Sequence, residues 1–286
     1  MRSLSLSLLF ASSTLMAACS PVQFLNLITP SSNYNLSKNL SYGDLPRHRL
    51  DIYKAETPKP DAPVIVYFHG GSWKDGSKEL YKFLGDGFAR EGYDVVIPNY
   101  RLYPEVKFPD FMDDAAKAVA FASARYPERS LALIGHSSGG HMVTLLGANS
   151  DYLEKAGVDM CARVSSVVGL AAPTGAYPLK EEPYITIFPE RFGGKDAPLN
   201  NVDSPSPSMF LINGGKDTTV GPKNSEELAA AINARGGKAV YKLYPDLDHQ
   251  GPVKVLSKYF DGDSTLKADI IDFIDSSARE PGRYCQ

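Results

Sequence analysis

The sequence predicts an α/β fold in which helices cover both faces of a mostly parallel central sheet. Short apolar runs typical of buried strands alternate along the 286-residue chain with longer segments of helical periodicity. Three of the apolar runs stop at glycine-rich segments, which favour tight turns. Because sites in such sheets form at the carboxyl ends of strands, we expect the residues of these turns to lie close together.

The predicted elements follow one another in a regular order. Segment 48–53 alternates apolar and polar residues as an early, antiparallel strand does. Apolar runs predict further strands at 63–68, 93–98, 131–135, 164–170, 209–213 and 239–244. The segments between them predict helices at 77–91, 110–126, 138–149, 222–235 and 264–278. This order fits one domain from 41 to 280, since a single α/β domain of that size is ordinary.

The most specific motif is Gly135-His136-Ser137-Ser138-Gly139. It spells G-x-S-x-G directly after an apolar run and ahead of a helical segment, which is the setting of a nucleophile elbow. A serine hydroxyl is a poor nucleophile at neutral pH, so it needs a turn on which a base can reach Oγ. We therefore predict that Ser137 is a catalytic nucleophile.

Two residues later in the sequence, an aspartate and a histidine, complete a candidate catalytic triad with Ser137. Asp217 comes just after the strand at 209–213, and His249 follows the strand at 239–244 and is the only histidine after Asp217. The order serine, aspartate, histidine is one of the orders used by triad hydrolases. Asp246 and Asp248 compete for the role of the acid, but the position at a strand end favours Asp217. His249 is the predicted general base.

A glycine-rich loop follows the strand at 63–68 and reads His69-Gly70-Gly71-Ser72-Trp73. Loops of this kind supply backbone N–H groups that stabilise an oxyanion, and glycine leaves room for the substrate's carbonyl oxygen. The predicted donors are the N–H groups of Gly71 and Ser72, together with that of Ser138. We interpret His69 as a brace of the turn rather than as the base.

Taken together, these motifs resemble the α/β-hydrolase carboxylesterases with an HGG-x-W oxyanion motif, close to the hormone-sensitive-lipase-like and arylformamidase-like branches. The resemblance covers about positions 34–278 and includes segment 99–105 and Val220. Ser72 stands where lipases have a third glycine, which favours the esterase and formamidase-like branch. The resemblance implies hydrolysis of carboxylic esters through an acyl-enzyme, without metal or organic cofactor. Aryl formamides and feruloyl or acetyl esters are alternative substrates.

Residues 172–207 interrupt the alternation of strands and helices. The segment is rich in proline and aromatic residues and is longer than a usual connection, which is typical of a binding loop or lid. We expect a short, lid-like insertion and a pocket for short-chain or aryl esters; a structural surface crossing is the alternative. The candidate substrate-binding residues are Trp73, Tyr103, Tyr184 and Phe188. Trp73 has two open interpretations, pocket wall or packing.

Two other polar residues near these motifs are assigned structural roles. His141 is four positions after Ser137, so it lies a helical turn away from the nucleophile. Arg101 is able to bind a substrate carboxylate, but arginines in such segments more often pair internally. We therefore expect an internal partner for Arg101.

The first residues are typical of a bacterial lipoprotein signal. Met1-Arg2 is followed by a largely apolar stretch, and small residues precede Cys19. We predict a signal peptide at 1–18, lipidation of Cys19, and a tether at 19–40 that contains a short docking helix; simple secretory cleavage is the alternative. The lipid anchor is the only membrane contact expected, on the periplasmic face of a cell envelope, and Ser20 favours the outer membrane in a Gram-negative host.

Composition narrows the class of partner. The formal net charge is −3 and no basic stripe is present, so nucleic acid is not an expected partner. Export would allow Cys161 and Cys285 to form a disulfide, and a free buried thiol with a frayed terminus is the equal alternative. A small-molecule ester is the expected partner, and the sequence leaves the oligomeric state open. A non-catalytic envelope protein that keeps the fold is the remaining alternative.

Overall fold

The computed structural model describes residues 21–175, 181–202, 206–260, 262, 264–278 and 283–285. Cys19 and the predicted signal peptide lie outside the described residues. The strands are β1 (Tyr34–Ser41), β2 (Arg49–Ala55), β3 (Val64–Phe68), β4 (Val95–Pro98), β5 (Leu131–His136), β6 (Val164–Leu170), β7 (Ser208–Gly214) and β8 (Ala239–Tyr244). The α-helices are α1 (Pro21–Ile28), α2 (Lys82–Ala89), α3 (Asp110–Arg125), α4 (Ser138–Ala148), α5 (Asp151–Lys155), α6 (Met160–Arg163), α7 (Tyr184–Ile187), α8 (Lys223–Ala234), α9 (Gly251–Lys254) and α10 (Leu266–Ala278).

The eight strands form one sheet in the order β1-β2-β4-β3-β5-β6-β7-β8. β1 and β2 pair antiparallel, as do β2 and β4, and every later pair is parallel. The carboxyl ends of β3, β5, β6, β7 and β8 therefore meet at one edge, which we call the carboxyl edge. The turns that contain the predicted site residues leave the sheet at this edge. The α/β class and the mostly parallel sheet are confirmed.

Apolar side chains pack on both faces of the sheet. Along β3, Val64, Val66 and Phe68 belong to one core cluster and Ile65 and Tyr67 to the other, because successive strand residues point to opposite faces. The first cluster includes buried residues of α3, α4 and α8, and the second includes residues of α1, α2 and α10. The burial of both faces explains why the central strands are almost continuously apolar.

Segment 21–40, which the sequence analysis assigns to a tether with a short docking helix, forms a helix and most of an edge strand. Its first part forms α1, which anchors itself through buried Leu25, and its second part forms the edge strand β1. A register shift between Ser37 and Leu40 breaks the pairing with β2, and the bulge also breaks the apolar alternation by which a strand is recognised. The folded part of the chain thus begins well before position 41.

The C-terminal residues are tied to the body by a disulfide between Cys161 and Cys285. The Cα atoms lie 6.0 Å apart, within the usual range for such a bond. Tyr284 adds a second tie, because its hydroxyl donates to the carbonyl oxygens of Met160 and Val164 at 2.7 and 2.9 Å. Of the two alternatives for these cysteines, the structure has the disulfide.

No helix among the described residues combines the length and the apolar character that crossing a membrane requires.

Candidate active site

Ser137 lies at the turn between β5 and α4 in a backbone conformation that L-residues rarely adopt. Its φ is 54° and its ψ is −120°. Its N–H donates to the carbonyl of Leu170 at 2.9 Å, which fixes the turn against the neighbouring strand. A Cβ on Gly139 would overlap the carbonyl oxygen of Phe68, and one on Gly135 would overlap that of Gly139. The two glycines of the motif are therefore required by close backbone packing.

The structure brings the three predicted triad residues into one hydrogen-bonded chain. His249 Nε2 lies 3.0 Å from Ser137 Oγ, and His249 Nδ1 lies 2.8 Å from Asp217 Oδ2. The side chain of Asp217 is fully buried and that of His249 is 15% exposed. With Nδ1–H donating to the carboxylate, Nε2 is left to accept the serine proton.

The carboxylate of Asp217 is fixed by the backbone as well as by the histidine. Oδ1 accepts from the N–H groups of Thr219 and Val220 at 2.8 and 2.9 Å. These bonds leave Oδ2 for His249. Gly215 allows the histidine loop to approach, because a Cβ there would lie 2.6 Å from the carbonyl oxygen of Pro245.

The competing acids pair elsewhere. Asp246 forms an exposed ion pair with Lys216 at 3.0 Å, and Asp248 forms one with Lys254 at 3.2 Å. Asp217 is thus the carboxylate that contacts the ring of His249.

The loop after β3 lies directly beside Ser137. A Cβ on Gly70 would lie 3.2 Å from the Cβ of Ser137. The loop turns sharply, since φ is 133° at Gly71, 55° at Ser72 and 58° at Trp73. Left-handed conformations at two successive non-glycine residues are costly, and they cluster where function demands a special backbone shape.

The predicted oxyanion donors have no competing acceptor. In the described part of the chain, the N–H groups of Gly71, Ser72 and Ser138 donate to no protein group. The N–H of Ser138 belongs to the first turn of α4, where backbone donors are unpaired by the helix itself. Unpaired N–H groups in the residue after the nucleophile and in the adjacent loop are the kind of donor that stabilises an atom with negative charge.

His69 braces this loop, as predicted. Its Nδ1–H donates to the carbonyl of Gly70 at 2.8 Å, and its ring stacks on Tyr100 and Tyr81 at centroid distances of 4.5 and 6.0 Å. Burial lowers the pKa of His69 to about 4. It is therefore neutral near pH 7.

His136 is a site residue whose role the sequence analysis missed. Its Nε2–H donates to the backbone carbonyl of His249 at 2.8 Å, and the two rings lie 5.0 Å apart. Burial lowers the pKa of His136 to about 4, so the neutral ring can hold the loop of the base. Its position as the first variable residue of the G-x-S-x-G motif is the signal that points to it.

The candidate substrate-binding aromatics are largely packed on one another. The ring of Trp73 makes edge-to-face contacts with those of Phe188 and Tyr184, at centroid distances of 4.7 and 6.2 Å. Trp73 is only 4% exposed and Phe188 only 7%. Tyr103 is half-buried, and its N–H donates to the carbonyl of Trp73 at 2.9 Å. The ring of Trp73, in the loop after β3, is thus packed against rings of the insertion, so Trp73 has a packing role here.

His141 and Arg101 have the structural partners expected of them. His141 Nε2–H donates to the carbonyl of Asp196 at 2.6 Å, which ties α4 to the insertion. Arg101 pairs with Asp114 at 2.7 Å, and His48 contacts the same carboxylate at 2.9 Å. In the described part of the chain, no group of three or more His, Cys, Asp or Glu side chains is arranged to hold a metal ion.

Comparison with known sequences finds similarity to one family model and to enzymes named as methylesterases and formamidases. The BD-FAE family model matches residues 50–186. A probable isoprenylcysteine alpha-carbonyl methylesterase of Oryza sativa subsp. japonica is 26% identical over 85% of this chain and 65% of its own length. A second rice relative of that description is 28% identical and is covered over 56% of its length. The chain therefore spans between about half and two thirds of these methylesterase relatives. Kynurenine formamidase of Danio rerio is 27% identical over 74% of this chain and 73% of its own length.

Solved structures share the fold over most of the chain. A truncated carbohydrate esterase from gut microbiota superposes with a TM-score of 0.74 at 20% identity and covers 88% of this chain and 99% of its own. Esterase B of Lactobacillus rhamnosis gives a TM-score of 0.72 at 19% identity, with 87% of each chain covered. These likenesses confirm the α/β-hydrolase fold.

Proposed function

We propose that this protein is a serine hydrolase that cleaves carboxylic esters through an acyl-enzyme intermediate. The observation that carries the proposal is the hydrogen-bonded chain from Ser137 Oγ through His249 to Asp217, which starts on a strained turn. The names of the sequence relatives, which include methylesterases and formamidases, support hydrolysis of a carbonyl compound.

The proposed reaction has two halves, and the same groups of the protein act in both. Ser137 Oγ bonds to the ester carbonyl carbon while His249 Nε2 takes the hydroxyl proton, and the N–H groups of Gly71, Ser72 and Ser138 stabilise the oxyanion. The bond to the alcohol then breaks, and His249 returns the proton to the leaving oxygen. In the second half, water bonds to the acyl carbon and gives a proton to His249. The bond from that carbon to Ser137 Oγ then breaks, His249 returns the proton to Oγ, and the acid is released.

The proposed substrates are short-chain or aryl esters. Trp73, Tyr184 and Phe188 pack together beside the loop that supplies two of the oxyanion donors. Because these packed rings leave little room beside the loop, we expect compact acyl groups to fit best. A long acyl chain would have to displace buried rings.

A series of p-nitrophenyl esters from acetate to laurate tests the proposal. We expect kcat/KM to fall as the acyl chain lengthens and turnover to drop by about 10⁴-fold or more in Ser137→Ala. Ser166→Ala is the matched control, since it removes a buried hydroxyl from β6. Full activity in Ser137→Ala would overturn the mechanism, and labelling of the wild type by a fluorophosphonate should disappear in the same variant.

Hydrolysis of an aryl formamide is the second candidate, favoured by the formamidase relative that is covered over 73% of its length. The same groups would act on a formamide, with His249 protonating an amine instead of an alcohol. The ratio of kcat/KM for N-formylkynurenine and for phenyl acetate separates the two functions. Turnover of neither compound, with fluorophosphonate labelling intact, would direct the search to feruloyl or acetyl esters of carbohydrates.

We also propose that the chain is exported and lipidated on Cys19, with the domain on the periplasmic face of the envelope. The apolar segment and small residues before Cys19 support this, and the Cys161–Cys285 disulfide fits an oxidising compartment. The intact mass of protein extracted from membranes should correspond to a chain that begins at a diacylated Cys19. An unmodified mass would refute the anchor.

A further inference from the structure

Helix α1 exposes a concentrated apolar surface. Leu25 faces the core at 4% exposure, whereas Phe24, Leu27 and Ile28 are 55%, 79% and 37% exposed. Tyr259, which is 42% exposed, joins them by donating its hydroxyl proton to the carbonyl of Ile28. We call Phe24, Leu27, Ile28 and Tyr259 the apolar patch. It holds four of the eight large apolar side chains that are exposed in the described residues.

The helix that carries the patch is fixed to the body of the protein. Asn26 Nδ2 donates to the carbonyl of Glu79 at 2.5 Å, and the ammonium group of Lys82 donates to the carbonyl of Thr29. Four residues later, Asn33 Nδ2 donates to Asp86 at 3.2 Å. The side chain of Leu27 points away from these contacts and stays in solvent. A patch of exposed apolar side chains on a helix that is fixed to the protein body is typical of an interaction surface.

These contacts also give the direction of α1. Its chain runs parallel to α2, since residues 26, 29 and 33 meet residues 79, 82 and 86 in the same order. The segment before α2 lies at the carboxyl edge, because the ring of Tyr81 stacks on that of His69. The start of α1 therefore points toward the carboxyl edge, where Ser137 lies.

The length of the preceding chain identifies the partner. Cys19 lies two residues before the first residue of α1. Two residues span at most about 7 Å when fully extended. A lipid on Cys19 would therefore hold α1 at the surface of the bilayer, with no tether long enough to keep the patch in water.

We propose that the apolar patch is a membrane-docking surface that inserts into the headgroup region of the bilayer and holds the carboxyl edge near the lipid surface. The inference rests on the proposed lipidation of Cys19 and not on the proposed esterase activity. Phe24, Leu27 and Ile28 supply the apolar contact, as in helices that lie in the membrane interface. Lys258, whose ammonium group lies 4.8 Å from the ring centre of Tyr259, supplies a cation for lipid phosphates at the rim of the patch.

The docking is tested with an environment-sensitive fluorophore on the lipidated chain. Leu27→Cys is labelled with a nitrobenzoxadiazole group after purification, with the Cys161–Cys285 disulfide intact, and the protein is placed in vesicles of phosphatidylethanolamine and phosphatidylglycerol. The matched control is Leu243→Cys, a leucine that is 41% exposed on the edge strand β8. We expect the emission at position 27 to shift to shorter wavelength and to be quenched by spin-labelled lipids, and the emission at position 243 to stay that of a label in water.

Three results would overturn the proposal. The first is a mass spectrum that shows no lipid on Cys19. The second is a label at position 27 that remains as exposed to water as the one at position 243. The third is an apolar signal at position 27 that weakens when the protein is diluted with further vesicles, because a second copy of the chain would then be the partner. None of these readouts involves turnover, so a failure of docking and a failure of the proposed chemistry are seen separately.

Discussion

The turns at the carboxyl edge and the insertion beside them hold their residues by different means. At the edge, backbone packs on backbone: Ser137 has a φ of 54°, and a Cβ on Gly139 would overlap the carbonyl of Phe68. In segment 181–202 of the insertion, buried side chains such as Ile187 and Phe188 pack into the core. The turns at the carboxyl edge therefore fix the positions of the proposed reacting groups, whereas the side chains of the insertion fill the space beside them.

This difference predicts how each region responds to substitution. Changes of the edge should alter the reaction more than the fold, provided that the backbone keeps its path. Changes of the insertion should alter stability and the fit of the substrate more than the chemical step. The substitutions below test this contrast, from the largest expected effect to the smallest.

Asp217→Asn should have the largest effect. The amide would still fit beside His249, but it would favour the wrong tautomer of the imidazole. We expect kcat to fall by about 10⁴-fold with little change in the melting temperature. Asp246→Asn is the control, because that side chain is 90% exposed and pairs with Lys216. The contrast between the regions would fail if Asp217→Asn mainly unfolded the protein.

Phe188→Ala should act in the opposite way. The ring is buried against Trp73 and also lies near Phe108 and Phe111. Its removal leaves a cavity, and we expect the free energy of unfolding to fall by about 3–5 kcal/mol. KM should change more than kcat, because the ring packs on Trp73 of the loop after β3, whereas the chemical step depends on the hydrogen bonds of Ser137, His249 and Asp217.

Ile185→Ala is the matched control for Phe188→Ala, because it removes an exposed side chain from the same part of the insertion. The residue lies on α7, which ends one residue before Phe188, and it is 43% exposed. Its removal should change the free energy of unfolding by no more than about 0.5 kcal/mol in denaturant titrations. If Phe188→Ala and Ile185→Ala lowered the free energy of unfolding equally, burial of side chains would not be what holds the insertion.

Gly139→Ala tests the backbone packing of the edge. The new methyl group would overlap the carbonyl oxygen of Phe68, so strand β3 and helix α4 would have to move apart. We expect a loss of about 1–3 kcal/mol in stability and a larger proportional loss in kcat, measured by denaturant titration and ester turnover. Gly221→Ala is the control, because a Cβ there meets nothing within 4 Å. Unchanged turnover in Gly139→Ala would mean that the turn tolerates displacement.

The same contrast explains which parts the sequence could predict. Ser137, Asp217 and His249 each follow an apolar run, so their meeting at one edge could be deduced from strand ends alone. Strand β1 could not, because its bulge hides the alternation, and the bond from His136 to the loop of His249 joins residues 113 positions apart. The packing of Phe188 on Trp73 depends on side-chain shapes that no local pattern encodes.

The last prediction concerns pH, and it involves buried His136 at the edge and buried His141, which contacts the insertion. Burial lowers the pKa of both His136 and His141 to about 4, against about 6.5 in an unfolded chain. The unfolded state therefore binds protons first as the pH falls, so stability is fully present above about pH 6.5 and is lost progressively towards pH 4. Between pH 7 and pH 5.5, each histidine should cost about 1 kcal/mol.

His141→Gln separates this effect from other acid-induced changes. Glutamine keeps an N–H group able to donate to the carbonyl of Asp196, where His141 now donates at 2.6 Å, but it does not titrate. We expect urea midpoints of the variant to fall less steeply than those of the wild type between pH 7 and pH 5.5, with turnover at pH 7 little changed. A slope identical to that of the wild type would show that His141 takes up its proton without opening the contact between α4 and the insertion.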